Sequence, residues 1–191
     1  AKVKEAAELI NNAKRPYVLF GHGVLIGNAK DEFKAFIEKA GIPSAWTIMG
    51  LSALETDHQL NVGMLGMHGN YGPNLLTNEC DVLIAVGMRF DDRVTGDLSR
   101  YAKQAKVIHL EIDPAEVDKN VNTTVAILGD CKESLAALTS LINSNSHAAW
   151  LKRFRECDAL EYEKVGKKEL NPTTEIMSMG EVIKKVSDTA H

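Results

Sequence analysis

Four charged side chains, placed just after an apolar run, are the residues of this sequence best suited to bind a ligand. The run extends from Val82 to Val86, and the charged residues that follow it are Arg89, Asp91, Asp92 and Arg93. Short runs of this composition are typical of strands buried on both faces of a parallel sheet. Ligands of open α/β sheets bind beyond the carboxyl ends of the strands, so we predict a ligand site here. The alternative, in which the four charges only pair with one another on a solvated loop, stays open.

Glycines follow two of the predicted strands. Gly87 ends the apolar run, where it permits a positive φ or a close approach of the backbone to a ligand. Gly21-His22-Gly23 lies between a predicted strand at Tyr17 to Phe20 and a predicted helix from about Ala29 to Ala40. A strand, a glycine turn and a helix in this order resemble the opening of a dinucleotide-binding unit.

Two departures from the dinucleotide-binding pattern disfavour a standard NAD site. The third glycine of that pattern would stand where the sequence has Ile26, and Gly27 comes one place later. The next predicted strand, Ser44 to Ile48, supplies no acidic residue to hold a ribose. Two explanations of these glycines therefore stay equally open: a tight turn that packs against its own helix, and a turn that binds a ligand.

The stretch from Gly50 to Gly72 is rich in glycine and predicts a long irregular loop. Long loops in compact domains are usually functional or disordered, and the apolar residues of Met64-Leu65-Gly66-Met67-His68-Gly69 argue against disorder. We therefore expect this loop to line a flat apolar ligand. The methionines could equally fill gaps in the core, and His68 could be an ordinary hydrogen-bonding histidine.

Strands and helices alternate along the rest of the sequence, which predicts an α/β fold. Glu111 lies at the end of one strand, where its carboxylate could bond ribose hydroxyls. Asp113 and Asp130 are of a residue type that caps helix N-termini, and Pro114 suits a first helical position. The further predicted elements are a helix from about 3 to 13, a short helix from Pro73 to about Glu79, strands at Val107 to Ile112 and Val125 to Leu128, and a closing helix after Asp130.

We predict one cofactor-binding domain at residues 1–143 and a helical connector at residues 144–191. Ser144-Asn145-Ser146 is a linker signal, and the charged segment from Ala148 to about Leu170 has a helical pattern that Pro172 breaks. Because the sequence opens inside a helical pattern, without an initiator methionine, we expect it to be a piece of a longer protein.

Composition limits the classes of function. The chain has 191 residues, of which 45% are hydrophobic, and a net charge of -4, which argues against a nucleic-acid surface. No apolar run is long enough to span a bilayer, and we expect no signal peptide. Cys80, Cys131 and Cys157 are odd in number and widely spaced, which predicts a cytoplasmic protein without a metal site.

Four segments resemble the acetolactate synthase (acetohydroxyacid synthase) family. They are Met64-Leu65-Gly66-Met67-His68-Gly69, Gly87-Met88-Arg89-Phe90-Asp91-Asp92-Arg93-Val94-Thr95-Gly96, His109-Leu110-Glu111-Ile112-Asp113-Pro114 and Gly129-Asp130, in the family's order. The string that begins at Arg89 is highly specific, whereas the glycine turn at Gly21 is not. Residues 1–143 resemble the central domain of the large catalytic subunit. This implies a doubly wound α/β fold with a mainly parallel six-stranded sheet and helices on both faces.

The resemblance implies a thiamine-diphosphate enzyme of branched-chain amino-acid (valine, leucine and isoleucine) biosynthesis. It would condense two 2-oxo acids, pyruvate with pyruvate or 2-oxobutanoate, with loss of carbon dioxide. FAD would have a structural role in the central domain, while thiamine diphosphate and Mg²⁺ would bind in other domains. This stretch would then hold no catalytic residue and be inactive alone. The full enzyme would be a homo-oligomer, a dimer or a tetramer, with a small regulatory subunit.

The resemblance also implies which residues bind each ligand. Arg93 would fix a substrate carboxylate, since a planar guanidinium matches that group, with Asp92 orienting it and Met67 beside the substrate. Leu65 to His68 would line the flavin. The full FAD set would be Gly21, His22, Gly23, Thr47, Ile48, Met49, Leu65, Gly66, Met67, His68, Gly87, Met88, Arg89, Asp91, Arg93, Val94, Glu111, Ile112, Gly129 and Asp130.

Two single residues and one five-residue segment depart from the family pattern. Gln59 stands where the family usually has proline, and Asn70-Tyr71-Gly72-Pro73-Asn74 replaces a small, alanine-containing segment. His22 stands where the family has a small residue, which adds bulk beside the expected pyrophosphate.

Three alternatives to this function stay open. The first is the same domain in another thiamine-diphosphate carboligase or decarboxylase, such as glyoxylate carboligase or an oxalyl-coenzyme A decarboxylase-like protein. The second is a sirtuin-like NAD-binding module, which would usually carry a set of zinc-binding cysteines that this sequence lacks. The third is a scaffold that keeps the fold without the ligand.

Overall fold

A six-stranded sheet forms the centre of the computed structural model, which describes residues 1–171 and 176–190. Its strands are β1 (Pro16–Phe20), β2 (Ser44–Trp46), β3 (Asn61–Met64), β4 (Val82–Val86), β5 (Lys106–Glu111) and β6 (Val125–Leu128). The spatial order is β3-β2-β1-β4-β5-β6, and every pairing is parallel. In this doubly wound order, the crevice for ligands lies where the order reverses, between β1 and β4.

Helices connect the strands and cover the sheet. They are α1 (Lys2–Asn12), α2 (His22–Ile26), α3 (Lys30–Ala40), α4 (Tyr71–Leu76), α5 (Asp92–Thr95), α6 (Cys131–Leu141), α7 (Ala148–Glu161), α8 (Lys167–Leu170) and α9 (Met179–Thr189). Short 3-10 turns lie at Ile48–Gly50 and Pro114–Glu116, and a π-helical turn at Tyr162–Gly166 continues α7. None of the described helices is long and apolar enough to cross a membrane.

Two hydrophobic cores lie on opposite faces of the sheet, because successive residues of a strand point to opposite sides. On one face, Val18 and Ile84 pack with apolar residues of α1, α3 and α6. On the other face, Leu19 and Leu83 pack with residues of α4 and α7. Both β1 and β4 are buried along their whole length. The predicted doubly wound fold with helices on both faces is confirmed, and the sheet is wholly rather than mainly parallel.

Strand β3 contradicts the prediction of an irregular loop from Gly50 to Gly72. It holds only four residues, one of them Gly63 with φ 103°, so its sequence lacks the alternation of a typical strand. Pairing with β2 stabilises this strand, although its own sequence does not indicate one. The Ser44 N–H donates to the Leu60 carbonyl at 2.7 Å, and the Leu65 N–H donates to the Trp46 carbonyl at 3.1 Å. The register shifts within this pairing.

Three helices also differ from the sequence-based expectation. Helices α2 and α5 form where only turns or a loop were expected, and α4 begins at Tyr71 and ends at Leu76 rather than running from Pro73 to Glu79. The early start of α4 has a long-range cause, because the Tyr71 N–H donates to the carboxylate of Glu161 at 3.1 Å. The predicted strands other than the end of β2, and the caps at Asp113 and Asp130, are confirmed.

Helix α7 packs on the sheet. The Trp150 indole Nε1 donates to the Pro16 carbonyl at 2.9 Å, and the Phe154 ring lies 5.0 Å from that of Tyr17. The division of the chain at residue 143 stays a prediction, but the segment that follows it contributes buried side chains to one of the two cores. The predicted helix break at Pro172 lies outside the described residues.

Candidate functional site

A cleft of about 1300 Å³ opens at the carboxyl ends of the strands. The predicted ligand residues line it, apart from Gly21, which is buried behind its wall. The turns after all six strands contribute to the lining. Drug-sized ligands occupy pockets of roughly 300–1,000 Å³, so this cleft suits a larger molecule. The lining residues that sequence reasoning missed are Ile26, Gly27, Leu110 and Cys131.

The floor of the cleft is a close contact between two glycine turns, those after β1 and β4. The Gly21 N–H donates to the Val86 carbonyl at 3.0 Å, and the Gly23 N–H to the Gly87 carbonyl at 2.9 Å. A Cβ on Gly23 would lie 2.6 Å from the Gly87 Cα, and Gly87 itself has a φ of 54°. The turns therefore need glycine in order to touch each other, whether or not a ligand approaches them.

Gly27, which comes one place later than the third glycine of the dinucleotide-binding pattern, packs closely against another helix. It follows directly after α2, and a Cβ there would lie 3.2 Å from the Cβ of Cys131 at the start of α6. The third glycine of the pattern serves close packing between a helix and a strand. Gly27 therefore allows a close approach of α2 and α6, which is a different contact.

One side of the cleft is the glycine-rich segment Met64–Gly69 that follows β3. The Met67 N–H donates to the Arg93 carbonyl at 2.7 Å, which joins this segment to the charged turn after β4. Gly66 has a φ of 106°, and its peptide groups bond to the side-chain amide of Asn74. The two sequence motifs that were predicted to line a ligand are thus in direct contact.

The charged turn is organised by Asp91, not by ion pairs. The Asp91 carboxylate accepts from the backbone N–H groups of Arg93 and Val94, and so caps the one-turn helix α5. Within the described chain, the ion pairs include neither Arg89 nor Arg93, nor the carboxylates of this turn. Mutual pairing of the four charges is therefore wrong, and both guanidinium groups are exposed at the cleft.

The opposite side of the cleft is held by carboxylates. Glu111, at the end of β5, is only 9% exposed, and its Oε1 accepts from the N–H groups of Ile112 at 2.9 Å and Asp113 at 3.3 Å. The His109 ring donates from Nε2 to the Met88 carbonyl at 2.9 Å, with Glu111 Oε2 at 3.6 Å from that nitrogen. Burial alone would raise the pKa of Glu111. The His109 ring and the two N–H groups outweigh burial and hold this pKa below its ordinary value.

Cys131 lines the cleft at the N-terminus of α6 without the reactivity that this position often brings. Burial, together with the neighbouring carboxylates of Asp130, Glu111 and Glu32, raises the pKa of its thiol to about 12. A protonated thiol is a poor nucleophile and a poor metal ligand. Across residues 1–171 and 176–190, no group of three or more His, Cys, Asp or Glu residues is placed to hold a metal ion.

Apolar side chains stand exposed inside the cleft between these two sides. Met67 is 69% exposed and Ile112 73% exposed, and similar residues lie on α2 and on the turn after β2. Apolar surface gathered in a concave site indicates a ligand with apolar faces. The exposed apolar residues of the lining are Ile26, Ile48, Met49, Met67 and Ile112.

Comparisons with known proteins show which sequences this chain is similar to. The family model of the thiamine pyrophosphate enzyme central domain matches residues 3–138. The probable acetolactate synthase large subunit of Methanocaldococcus jannaschii is 45% identical over 163 residues, which are 83% of this chain and 27% of that protein. The acetolactate synthase isozyme 2 large subunit of Escherichia coli is 39% identical over 166 residues, 87% of this chain and 30% of that protein. The chain spans about a quarter to a third of the length of the curated relatives it matches.

Proposed function

Since the chain belongs to the thiamine pyrophosphate enzyme family, as a central domain, we propose that it is the FAD-binding central domain of an acetolactate synthase large subunit. The observation that carries this proposal is the cleft at the reversal of strand order, with exposed apolar side chains in its middle. At its edge lie Arg89 and Arg93, which form no ion pair with any residue that the structure describes. Flavin and adenine rings are flat and apolar, and a pyrophosphate is anionic. The cleft offers a matching surface for each part.

The residues of the cleft fit FAD in three zones. The exposed apolar residues Ile48, Met49 and Met67 would pack on the ring systems, and Arg89 would neutralise the pyrophosphate charge. The turns after β5 and β6, with Glu111 and Gly129, would hold the adenosine part. Condensation of two 2-oxo acids with loss of carbon dioxide involves no net redox change. Bound FAD would therefore supply a fixed surface rather than electron transfer.

Arg93 has a different assignment in this proposal. It is exposed at the rim of the cleft, at the start of the one-turn helix α5, and its backbone carbonyl is held by the Met67 N–H. A guanidinium in this position would fix the carboxylate of a 2-oxo acid, with Asp92 beside it. In the whole enzyme, the 2-oxo acids would be pyruvate with a second pyruvate or 2-oxobutanoate.

The remaining parts of the proposal concern the complete enzyme. Thiamine diphosphate and Mg²⁺ would bind in other domains, and this chain would not condense pyruvate by itself. The large-subunit names of the relatives favour a small partner subunit. A regulatory role for that subunit, a homo-oligomer and a cytoplasmic location complete the proposal.

The test is a fluorescence titration of the chain with FAD, run beside NAD. Saturable FAD binding without NAD binding is expected, and Arg89→Ala should weaken FAD binding at least about tenfold because a charge-assisted contact is lost. Arg100→Ala is the matched control, since Arg100 is an exposed arginine outside the cleft. Tight NAD binding would contradict the proposal and favour a sirtuin-like module. Equal FAD affinity of the Arg89 and Arg100 variants would remove the assigned role of Arg89.

A second measurement tests the statement about activity. The chain is mixed with pyruvate, thiamine diphosphate, Mg²⁺ and FAD, and acetolactate is assayed. We expect none, and its formation would mean that the catalytic groups lie within these 191 residues.

A further inference from the structure

We propose that Asn74 is a positioning residue for the flavin side of the cleft, and that Glu161 secures this side from helix α7. The inference rests on the proposed function and deepens it. Neither side chain lines the cleft. Both act through the glycine-rich segment Met64–Gly69, which lines the cleft.

Asn74 holds both peptide groups of one loop residue. Its Oδ1 accepts from the Gly66 N–H at 2.9 Å, and its Nδ2 donates to the Gly66 carbonyl at 2.9 Å. Gly66 has a φ of 106°, which no neighbouring strand or helix stabilises by regular pairing. The Gly66 carbonyl also accepts from the Gly69 N–H at 2.9 Å, so Asn74 shares this carbonyl and supplies the acceptor for the Gly66 N–H.

The position of Gly66 determines the position of two residues that face the ligand. A Cβ on Gly66 would lie 2.8 Å from the Arg93 carbonyl oxygen, and the next residue, Met67, donates its N–H to the same oxygen at 2.7 Å. A shift of Gly66 would therefore move Met67 and the Arg93 turn together. Asn74 thus acts on the apolar surface and the substrate arginine at the same time.

Glu161 secures the neighbouring amide of Asn70. One carboxylate oxygen of Glu161 accepts from the Asn70 side-chain amide at 3.3 Å and from the Tyr71 N–H at 3.1 Å. The Asn70 Oδ1 in turn accepts from the Met64 N–H at 2.9 Å, at the start of the glycine-rich segment. This network begins on α7, beyond residue 138, where the match to the family model ends.

Helix α7 also holds the strand on which the segment depends. Arg155 donates from Nη2 to the carbonyls of Gln59 at 2.7 Å and Asn61 at 3.2 Å, where β3 begins. Arg155 and Glu161 therefore bracket β3 and the glycine-rich segment from one helix. The segment from Ala148 to Glu161 is in this way part of the support of the site.

The experiment compares Asn74→Ala with Asn78→Ala in the whole chain. Asn78 is a matched control, because its Oδ1 accepts from the Ala102 N–H at 2.8 Å and it does not line the cleft. Each variant loses backbone hydrogen bonds, so the thermal stability of both should fall slightly. We expect Asn74→Ala alone to weaken FAD binding, by about tenfold, and to change the visible absorption spectrum of the bound flavin.

A second pair of variants tests the role of helix α7. Gln at position 161 keeps an oxygen that can accept from Tyr71 and Asn70, so Glu161→Gln should bind FAD like the wild type. Glu161→Ala removes the shared acceptor of both donors and should weaken FAD binding about threefold. Equal loss in the Gln and Ala variants would mean that the charge, and not the positioning of Asn70, is responsible, which would overturn the role given to Glu161.

Amide hydrogen exchange without flavin separates this inference from the proposed function. The Gly66 and Met67 N–H groups should exchange slowly in the wild type and in Asn78→Ala, and at least about tenfold faster in Asn74→Ala. Unchanged exchange in Asn74→Ala, or FAD affinity equal to that of Asn78→Ala, would overturn the inference. If the wild type binds no FAD, the proposed function fails, and the exchange rates alone decide whether Asn74 positions the segment.

Discussion

The two sides of the cleft are built by different kinds of contact. On the carboxylate side, which comprises Glu111–Asp113 and Gly129–Cys131, each carboxylate bonds to N–H groups within three residues of itself. On the amide side, the segment Met64–Gly69 with Asn70 and Asn74, the contacts reach further. Asn74 lies 8 residues from Gly66, and Glu161 lies 91 residues from Asn70.

The carboxylate side is thus stabilised by local contacts, and the amide side by contacts that depend on one another. A local cap forms as soon as its own turn forms, so the caps of the carboxylate side do not depend on one another. The two turns themselves are joined by the Gly129 N–H, which donates to the Glu111 carbonyl at 3.0 Å. The amide side exists only when β3, α4, α5 and α7 are all in place. We therefore expect changes on the amide side to affect both stability and ligand binding, and changes on the carboxylate side to remain local.

The largest effect is expected for Gly66→Ala on the amide side. Alanine would adopt a φ of 106° only with strain, and its Cβ would meet the Arg93 carbonyl oxygen at 2.8 Å. The free energy of unfolding should fall by about 2–3 kcal/mol, and FAD uptake should be lost. Urea unfolding and the FAD titration measure the two effects. Wild-type behaviour in both would mean that the segment can move without consequence.

A smaller, pH-dependent effect is expected for Glu111→Gln on the carboxylate side. The pKa of Glu111 is lower in the folded chain than its ordinary value of 4.5. Its stabilising effect is therefore complete above that ordinary value and is lost as the pH falls through the folded-state pKa. At neutral pH the variant should be less stable by about 1 kcal/mol, and below pH 4.5 the difference should shrink.

Urea unfolding across a pH series checks the Glu111 prediction. Asn74→Ala is the control from the other side, because amides do not titrate and its stability deficit should stay constant with pH. A Glu111→Gln deficit that is equally large at acidic and neutral pH would show that the loss comes from packing rather than from the charge.

The smallest effects are expected for Asp113→Ala and Asp130→Ala. Asp113 caps a 3-10 turn through the Ala115 N–H, and Asp130 caps α6 through two N–H groups. Loss of a cap costs about 0.5–2 kcal/mol, with Asp113 at the low end because it caps a 3-10 turn through a single N–H. Because the two caps share no partner, the double variant should lose the sum of the single losses. A clear departure from additivity would mean that the carboxylate side is also cooperative.

Contacts between residues close in sequence were predictable, and contacts between residues distant in sequence were not. Asp113 and Asp130 precede their helices directly, so their caps were recognisable from residue type and position. The start of α4 was not recognisable in this way, because the carboxylate that bonds to the Tyr71 N–H comes from Glu161. Local chemistry can be read from adjacent residues, whereas a partner distant in sequence has no local signal.

The same reasoning explains the outcome for the strands and for the cleft. Strands β1 and β4 are continuous apolar runs, and they were predicted almost to the residue. Strand β3, with Gly63 in its middle, depends on pairing with β2 and was missed. Cys131 was missed as a lining residue, although it adjoins the predicted segment Gly129-Asp130 and could have been found by extending that segment by one residue.

The lengths of the outer strands bear on how the molecule behaves at high concentration. Strands β3 and β6, at the two edges of the sheet, hold four residues each, and β3 pairs with β2 in an irregular register. An edge strand offers unpaired peptide groups to which a second chain can add, and short or irregular edges limit that addition. The fold therefore provides little template for edge-to-edge aggregation, even though its central strands are almost entirely apolar.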